Sequence, residues 1–295
     1  MTASDRQNRC RSGKPLSPLA LCPAKPGLSG AGRRASARTG TRSGRRLVKR
    51  WPGRKRLAQR QATGSEYTGM TASVLIIGGS SGIGGALTRH YLASGAQVSV
   101  ISRQPAPAQP QLTWLQDTLH SEQHSATVIA EALTQQPEII FICNGVLHDE
   151  HAMPEKTIRQ LDIDVLSARF ASNVQVPALY LKLLFSYLCK QPAIKLLALS
   201  AKVGSIGDNA LGGWYSYRIS KAALNMLIKN LSIEVGRLNK TAAIVSVHPG
   251  TTDTALSAPF QTNLPDGQLQ TPAATAERLA KVAQELTAKQ SGNLL

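Results

Sequence analysis

Tyr217 and Lys221 stand four residues apart in Gly212–Asn225, GGWYSYRISKAALN. Behind them Leu224, Leu227, Ile228, Leu231 and Val235 recur at helical spacing, which predicts a helix with phenol and ammonium on one face near its start. An ammonium beside a phenol favours the phenolate, lowering a pKa that starts near ~10 toward the range of a general acid/base. Alone, a Tyr-x-x-x-Lys spacing is common and usually structural. It gains meaning from Val74–Leu87, VLIIGGSSGIGGAL, where a short apolar strand runs into a glycine-rich turn and then a helix with Ile83, Leu87 and Tyr91 on one face. Gly78, Gly82 and Gly84 permit a tight turn and close approach of backbone to a pyrophosphate, with Ser80, Ser81 and Ile83 in the same cradle at the helix N-terminus.

Other positions extend this constellation. The second strand, Val98–Ile101, runs into Ser102-Arg103. A carboxylate near this strand end would bind the ribose hydroxyls of NAD, whereas a serine and a guanidinium favour a 2′-phosphate; a plain surface charge is the alternative. Asn173 lies four residues before Pro177, which has no N–H, so the Asn173 carbonyl loses its helical partner and is free to hold a water; a simple helix kink is the competing reading. His120 and His124 could share a helix face but have no third ligand in view and read as a solvated surface pair.

Strand and helix alternate after Met70, with further strands at Ile139–Ile142, Ile194–Leu199 and Ala243–Val247, a loop at Gln104–Thr113 and a short strand ending at Asp117. This alternation predicts an α/β fold: a doubly wound parallel sheet in a Rossmann-type three-layer α/β/α single domain over residues 70–295. Residues 1–69 hold 17 Lys/Arg against Asp5 and Glu66, whereas residues 70–295 hold 17 against 15. Nearly all of the net charge of +17 therefore belongs to the first segment. That segment is poor in aromatic and β-branched residues and is expected to be a disordered basic extension. A nucleic-acid-binding arm, a transit peptide and a translated upstream region without a role all fit it, the last because Met70-Thr-Ala-Ser repeats Met1-Thr-Ala-Ser. Nucleic-acid binding is expected nowhere else. Four scattered cysteines without a CxxC pair suggest a reducing compartment, and the apolar run Leu16–Cys22 is too short for a membrane span or secretory signal. A cytoplasmic protein with no metal is expected.

The glycine motif followed by Tyr-x-x-x-Lys resembles the short-chain dehydrogenase/reductase family, and within it the carbonyl-reductase-like branch of sniffer-type reductases and bacterial C-signal proteins. The resemblance runs from about Ser73 to the end. It implies roles for Asp117 near the adenine, for Asn144 and Gly145 in the turn after the fourth strand, and for Pro249, Gly250, Thr252 and Thr254 around the nicotinamide. It makes Asn173 part of a proton relay with Tyr217 and Lys221. Three departures stand out. Ala201 occupies the place of the substrate-polarising serine, leaving Ser200 or Ser205 as substitutes; Cys143 replaces the first Asn of Asn-Asn-Ala-Gly; and Ser291–Leu295 stops where the last strand normally continues. The expected activity is NADP(H)-dependent reduction of a small carbonyl or oxidation of the alcohol, NAD(H) being less favoured, in a possible homodimer or homotetramer. A dinucleotide-binding sensor with weak or no turnover is the alternative.

Overall fold

The structure, a computed structural model, describes residues 72–107, 112–118, 120–262 and 264–295. The expectations for residues 1–69 lie outside them. Six parallel strands form one sheet: β1 (Ser73–Ile77), β2 (Gln97–Ser102), β3 (Leu112–Gln116), β4 (Ile139–Ile142), β5 (Lys195–Leu199) and β6 (Ala243–Val247), in the order β3-β2-β1-β4-β5-β6. All five residues of β1 and of β6 are buried, as required of parallel strands covered on both faces. Val74 and Ile76 pack toward α1 (Gly82–Ala93) and α6 (Pro272–Glu285), in a core with Leu87 and Leu279. Leu75 and Ile77 face the other way, toward α2 (Glu122–Leu133), α4 (Val176–Lys190) and α5 (Tyr215–Leu238), with Tyr180, Leu184, Leu224 and Ile228. This is the three-layer arrangement expected from the alternation. Strand order reverses between β1 and β4, which opens a crevice at their carboxyl ends.

Three local features differ from the sequence reading. Helix α2 starts at Glu122 behind its N-cap Ser121, so His120 lies before the helix with φ 46° and does not share a helix face with His124. Strand β3 takes up Leu112 and Thr113, shortening the loop before it, because their backbone pairs with Val98 and Ser99. Between α3 (Ile163–Phe170) and α4 the chain makes a π turn over Ala171–Gln175, where the Val176 N–H bonds to the Ala171 carbonyl. Pro177 cannot donate to the Asn173 carbonyl, and the wider turn falls where that bond is missing. Beyond α6, the Gly292 N–H bonds to the Ile244 carbonyl at 2.7 Å and the Leu295 N–H to the Ser246 carbonyl at 3.0 Å, so residues 292–295 run beside β6.

Asp117, just after β3, is fully buried and knits two layers together. Its Oδ2 accepts from the Ser125 hydroxyl at 2.6 Å and from the Tyr180 phenol at 2.9 Å, and its Oδ1 from the His120 N–H at 3.1 Å. Burial pushes this carboxyl up, but the bonds from Ser125, His120 and Tyr180 outweigh it and hold the group below the usual carboxylate range. A carboxylate with a depressed folded pKa stabilises the fold above its unfolded pKa, and that contribution fades as the pH falls through the folded value. Tyr180→Phe removes one charged-acceptor bond and should cost about 1.5–3 kcal/mol in urea unfolding at pH 7. The deficit should shrink on acidification; equal urea midpoints for the two proteins at pH 7 would refute this role of Asp117.

Candidate active site

The cleft begins at the β1–α1 turn. Gly78 adopts φ +85° and Gly82 φ +52°, and a Cβ on Gly84 would stand 2.1 Å from the Gly78 carbonyl oxygen, so only glycine lets the helix approach the strand end this closely. The Thr88 hydroxyl ties the turn to the helix, lying 3.2 Å from the Gly79 carbonyl and 3.0 Å from the Gly84 carbonyl. Ser81, the N-cap of α1, makes no side-chain cap bond, and no acidic residue occupies the first turn. The N–H groups there remain available to an anion.

From this turn a cavity of about 780 Å³ runs toward β2, lined by Gly78, Ser80, Ser81, Arg89, Ser102, Arg103, Asn144, Gly145 and Tyr180, among others. The segment that presents Arg103 is fixed: the Trp114 indole donates to the Gln104 carbonyl at 2.9 Å, the Gln116 amide to the Arg103 carbonyl at 2.9 Å, and the Ser102 hydroxyl accepts from the Gln104 N–H at 3.1 Å. Asp117 does not line this cavity; its oxygens are turned to Ser125, Tyr180 and His120. Arg89 does line it, a cation the sequence reading passed over. Its signal was position on α1, seven residues after Gly82 and so on the same helix face.

The cleft continues through a narrower cavity of about 400 Å³ between the glycine turn and α5, lined by Gly82, Ile83, Gly84, Asn144, Gly145, Tyr217, Lys221, Pro249 and Thr254. Lys221 is 3% exposed; its Nζ donates to the Leu199 carbonyl at 2.9 Å and lies 5.8 Å from the centre of the Tyr217 ring. Burial pushes the Lys221 ammonium down to about 8 and the Tyr217 phenol above its ordinary value. In this structure desolvation thus acts on the phenol more strongly than the ammonium, opposite to the lowering expected from the four-residue spacing. Cys143, at the end of β4, lines the same cavity, and its thiol is pushed up to about 12 by burial.

Asn173 is fully buried and bridges elements. Its Oδ1 accepts from the Val146 N–H at 2.7 Å, and its Nδ2 donates to the Val146 carbonyl and to the Ser220 hydroxyl, each at 2.9 Å. It therefore joins the turn after β4 to α5 one residue from Lys221. Gly145 is pressed on this group: a Cβ there would sit 3.1 Å from Lys221 Nζ.

A third cavity, about 640 Å³, opens beyond Tyr217. Its walls include Leu147, Ala201, Val203, Trp214, Leu256 and Phe260, with the Trp214 and Phe260 rings 4.9 Å apart. Ala201 packs with Tyr217 and Leu147, so a methyl group faces the region where a serine was expected. Ser200 lines this cavity but donates its hydroxyl to Asn225 Oδ1 at 2.6 Å, and Ser205 lines none of the three cavities. The His248 ring also lines it, its Nδ1 buried with no partner among the described residues. Gly250 (φ +74°) turns the chain after Pro249, whose carbonyl accepts from Arg278; Thr252 is bonded to Thr275 at 2.9 Å and Thr254 reaches toward Gly82. Trp214, Phe260 and His248 carry no spacing signal in the sequence.

Residues 72–265 match the family described as short chain dehydrogenase. The chain belongs to that family. Among family relatives, an uncharacterized oxidoreductase of Schizosaccharomyces pombe is 27% identical over 199 residues, covering 62% of this chain and 74% of its own. The C-signal protein of Myxococcus xanthus is 35% identical over 74 residues, 25% of this chain and 43% of its own. The carbonyl reductase Sniffer of Drosophila melanogaster has the same fold, with a TM-score of 0.66 at 21% identity over 76% of this chain and 96% of its own. Family members are oxidoreductases that bind a nicotinamide dinucleotide, and this chain is one of them. The cradle fits such a group: the close backbone approach that Gly84 permits, the uncapped helix start and the buried Asn144 Oδ1, unpartnered among the described residues, all border the cleft. No helix among the described residues is long and apolar enough to cross a membrane.

A lysine depressed to about 8 is protonated more fully in the unfolded chain between about 8 and 10, so this group makes stability rise with pH across that window. In ¹³C-labelled lysine spectra, one resonance should titrate with a midpoint near 8 and vanish in Lys221→Met. A lowest lysine midpoint above ~10, the ordinary value, would show that Lys221 is hydrated instead.

Proposed function

We propose that this oxidoreductase uses NADPH to reduce a small, uncharged, largely apolar carbonyl compound, or oxidises the matching alcohol, with Tyr217 as general acid/base. The observation that carries the cofactor choice is the pair Arg89 and Arg103 lining the cleft beside Ser80, Ser81 and Ser102, while Asp117 is turned away from it. Two guanidiniums and no lining carboxylate suit a ribose phosphate better than ribose hydroxyls. When bound, the dinucleotide supplies the hydride. Gly78, Ser80, Ser81, Gly82, Ile83 and Gly84 would hold the pyrophosphate, and Asn144, Gly145, Lys221, Pro249, Gly250, Thr252 and Thr254 the nicotinamide riboside, with Thr252 acting through its backbone because its hydroxyl is bonded to Thr275.

Tyr217 is the proton donor in reduction: burial keeps its phenol protonated, and its ring borders both the narrow cavity and the apolar one. Lys221 stays close enough to favour the phenolate as the proton leaves, and Asn173 maintains the turn on which Lys221 packs. Lys202 is the one Lys, Arg, Asp or Glu among the residues lining the apolar cavity, which supports an uncharged substrate. Ala201 favours a second reading, a dinucleotide-binding sensor with little turnover, because the methyl cannot polarise a carbonyl.

One set of variants tests both readings. Arg103→Ala should weaken NADPH binding by the loss of one charge-assisted contact, about 1.5–3 kcal/mol, and leave NADH binding nearly unchanged. Tyr217→Phe should abolish reduction of a panel of neutral aldehydes and ketones while retaining NADPH. Turnover that survives in Tyr217→Phe would defeat the assignment, and a gain of roughly 10²–10³ in Ala201→Ser, the scale of one oxyanion donor, would favour the sensor.

A further inference from the structure

We infer that Glu155 is a positioning residue for Tyr217, capping the head of α5 from a distant loop and thereby fixing where the phenol stands. The inference rests on the catalytic reading of Tyr217 given above. An α-helix starts with four N–H groups that lack partners within it. The N-cap of α5 is Trp214, in the left-handed region at φ 52° and ψ 42°, with no side-chain cap bond, and the first turn holds no acidic residue. Ser216 and Tyr217 are buried there, so water is a poor substitute.

Glu155 fills this need from 61 residues upstream. It is 5% exposed. Its Oε1 and Oε2 accept from the Ser216 N–H at 3.4 and 3.2 Å, and Oε1 also accepts from the Ser216 hydroxyl. Its main-chain carbonyl accepts from the Trp214 N–H, and a Cβ on Gly213 would stand 3.3 Å from that oxygen. A carboxylate at a helix N-terminus is also favoured by the helix dipole. The loop that carries Glu155 is anchored in turn. Buried Arg169 donates to the Leu147 carbonyl at 3.3 Å and to Asp149 at 2.8 Å, and this guanidinium draws the Asp149 carboxyl down to about 2.

The phenol hydroxyl of Tyr217 has no hydrogen bond to any described residue, so its place is set by the helix that carries it and by the packing of its ring against Leu147, Ala201 and Trp214. Three contacts hold that helix head: Lys221 on the Leu199 carbonyl, Ser220 between Asn173 and the Tyr217 carbonyl, and Trp214 with Ser216 on Glu155. Releasing one anchor lets the helix head shift, and a displacement of about 1 Å at a reacting group can cost on the order of 10²-fold in rate.

The test uses the full chain labelled with 3-fluorotyrosine, the Tyr217 ¹⁹F resonance being assigned by its loss in Tyr217→Phe. Glu155→Ala should shift or broaden that resonance in the absence of any substrate, and lower kcat about 10- to 100-fold with NADPH affinity unchanged. Glu155→Gln keeps an acceptor for Ser216 and should recover most of kcat. Ser216→Ala, which removes only a hydroxyl, should lower kcat several-fold and add nothing to Glu155→Ala. A Glu155→Ala protein with a lower melting temperature but unaltered kcat and an unmoved Tyr217 resonance would overturn the inference, leaving Glu155 a plain helix cap. If Glu155→Ala does not fold, an unmoved Tyr217 resonance together with an unaltered kcat in Ser216→Ala overturns it equally. Wild-type protein that turns over no carbonyl defeats the proposed activity instead, and the ¹⁹F spectra still decide whether Glu155 places the phenol.

Discussion

A carboxamide buried beyond the reach of water must find its partners within the protein, or the fold carries the full desolvation penalty. Asn173 meets that condition with one acceptor and two donor bonds, to both backbone groups of Val146 and to Ser220. The Ser220 hydroxyl then donates to the Tyr217 carbonyl at 2.8 Å, so the chain of bonds reaches the turn of α5 that holds the phenol. The turn after β4, the π turn before α4 and the head of α5 are thus held in one arrangement. Only then can Gly145 lie against Lys221 and the cleft keep its shape.

The same region is buried, and burial governs its electrostatics. Tyr217 and Lys221 are both buried, and burial disfavours the charged form of each: the phenol rises and the ammonium falls to about 8. A protonated phenol beside an ammonium poised near neutral pH is suited to release a proton when negative charge develops nearby. Among the described residues the cation has a single hydrogen bond, to the Leu199 carbonyl. Elsewhere the cleft is polar toward β2, with Arg89 and Arg103, and apolar beyond Tyr217, with Trp214 and Phe260. Tyr217 stands where the two meet.

Much of the fold was legible in the sequence because parallel strands buried on both faces must be continuously apolar. Val74–Ile77, Ile139–Ile142 and Ala243–Val247 have few other uses. The stripe Leu224, Ile228, Leu231, Val235 likewise marked α5, and Leu227 packs beside it. His120 was misplaced because a left-handed residue followed by a serine cap starts the helix two positions later, and a histidine pair at i, i+4 carries no trace of that start. Asp117 was legible as a carboxylate after a strand, but its orientation depends on Ser125 and Tyr180, which the chain brings from two other helices.

The sequence by itself determined the layers, the glycine cradle and the Tyr217–Lys221 spacing, since each depends on residue types at short, fixed intervals. Local periodicity and the absence of a Cβ are properties of the chain, not of its surroundings. Tertiary structure alone decided which side chains are desolvated and which meet across long separations. Phe260 stands 46 residues from Trp214, and Arg89 14 residues from Arg103, intervals at which sequence carries no geometric information. Glu155 reaches Ser216 on the same terms, and the pKa of Lys221 follows from burial that its four-residue spacing to Tyr217 does not encode.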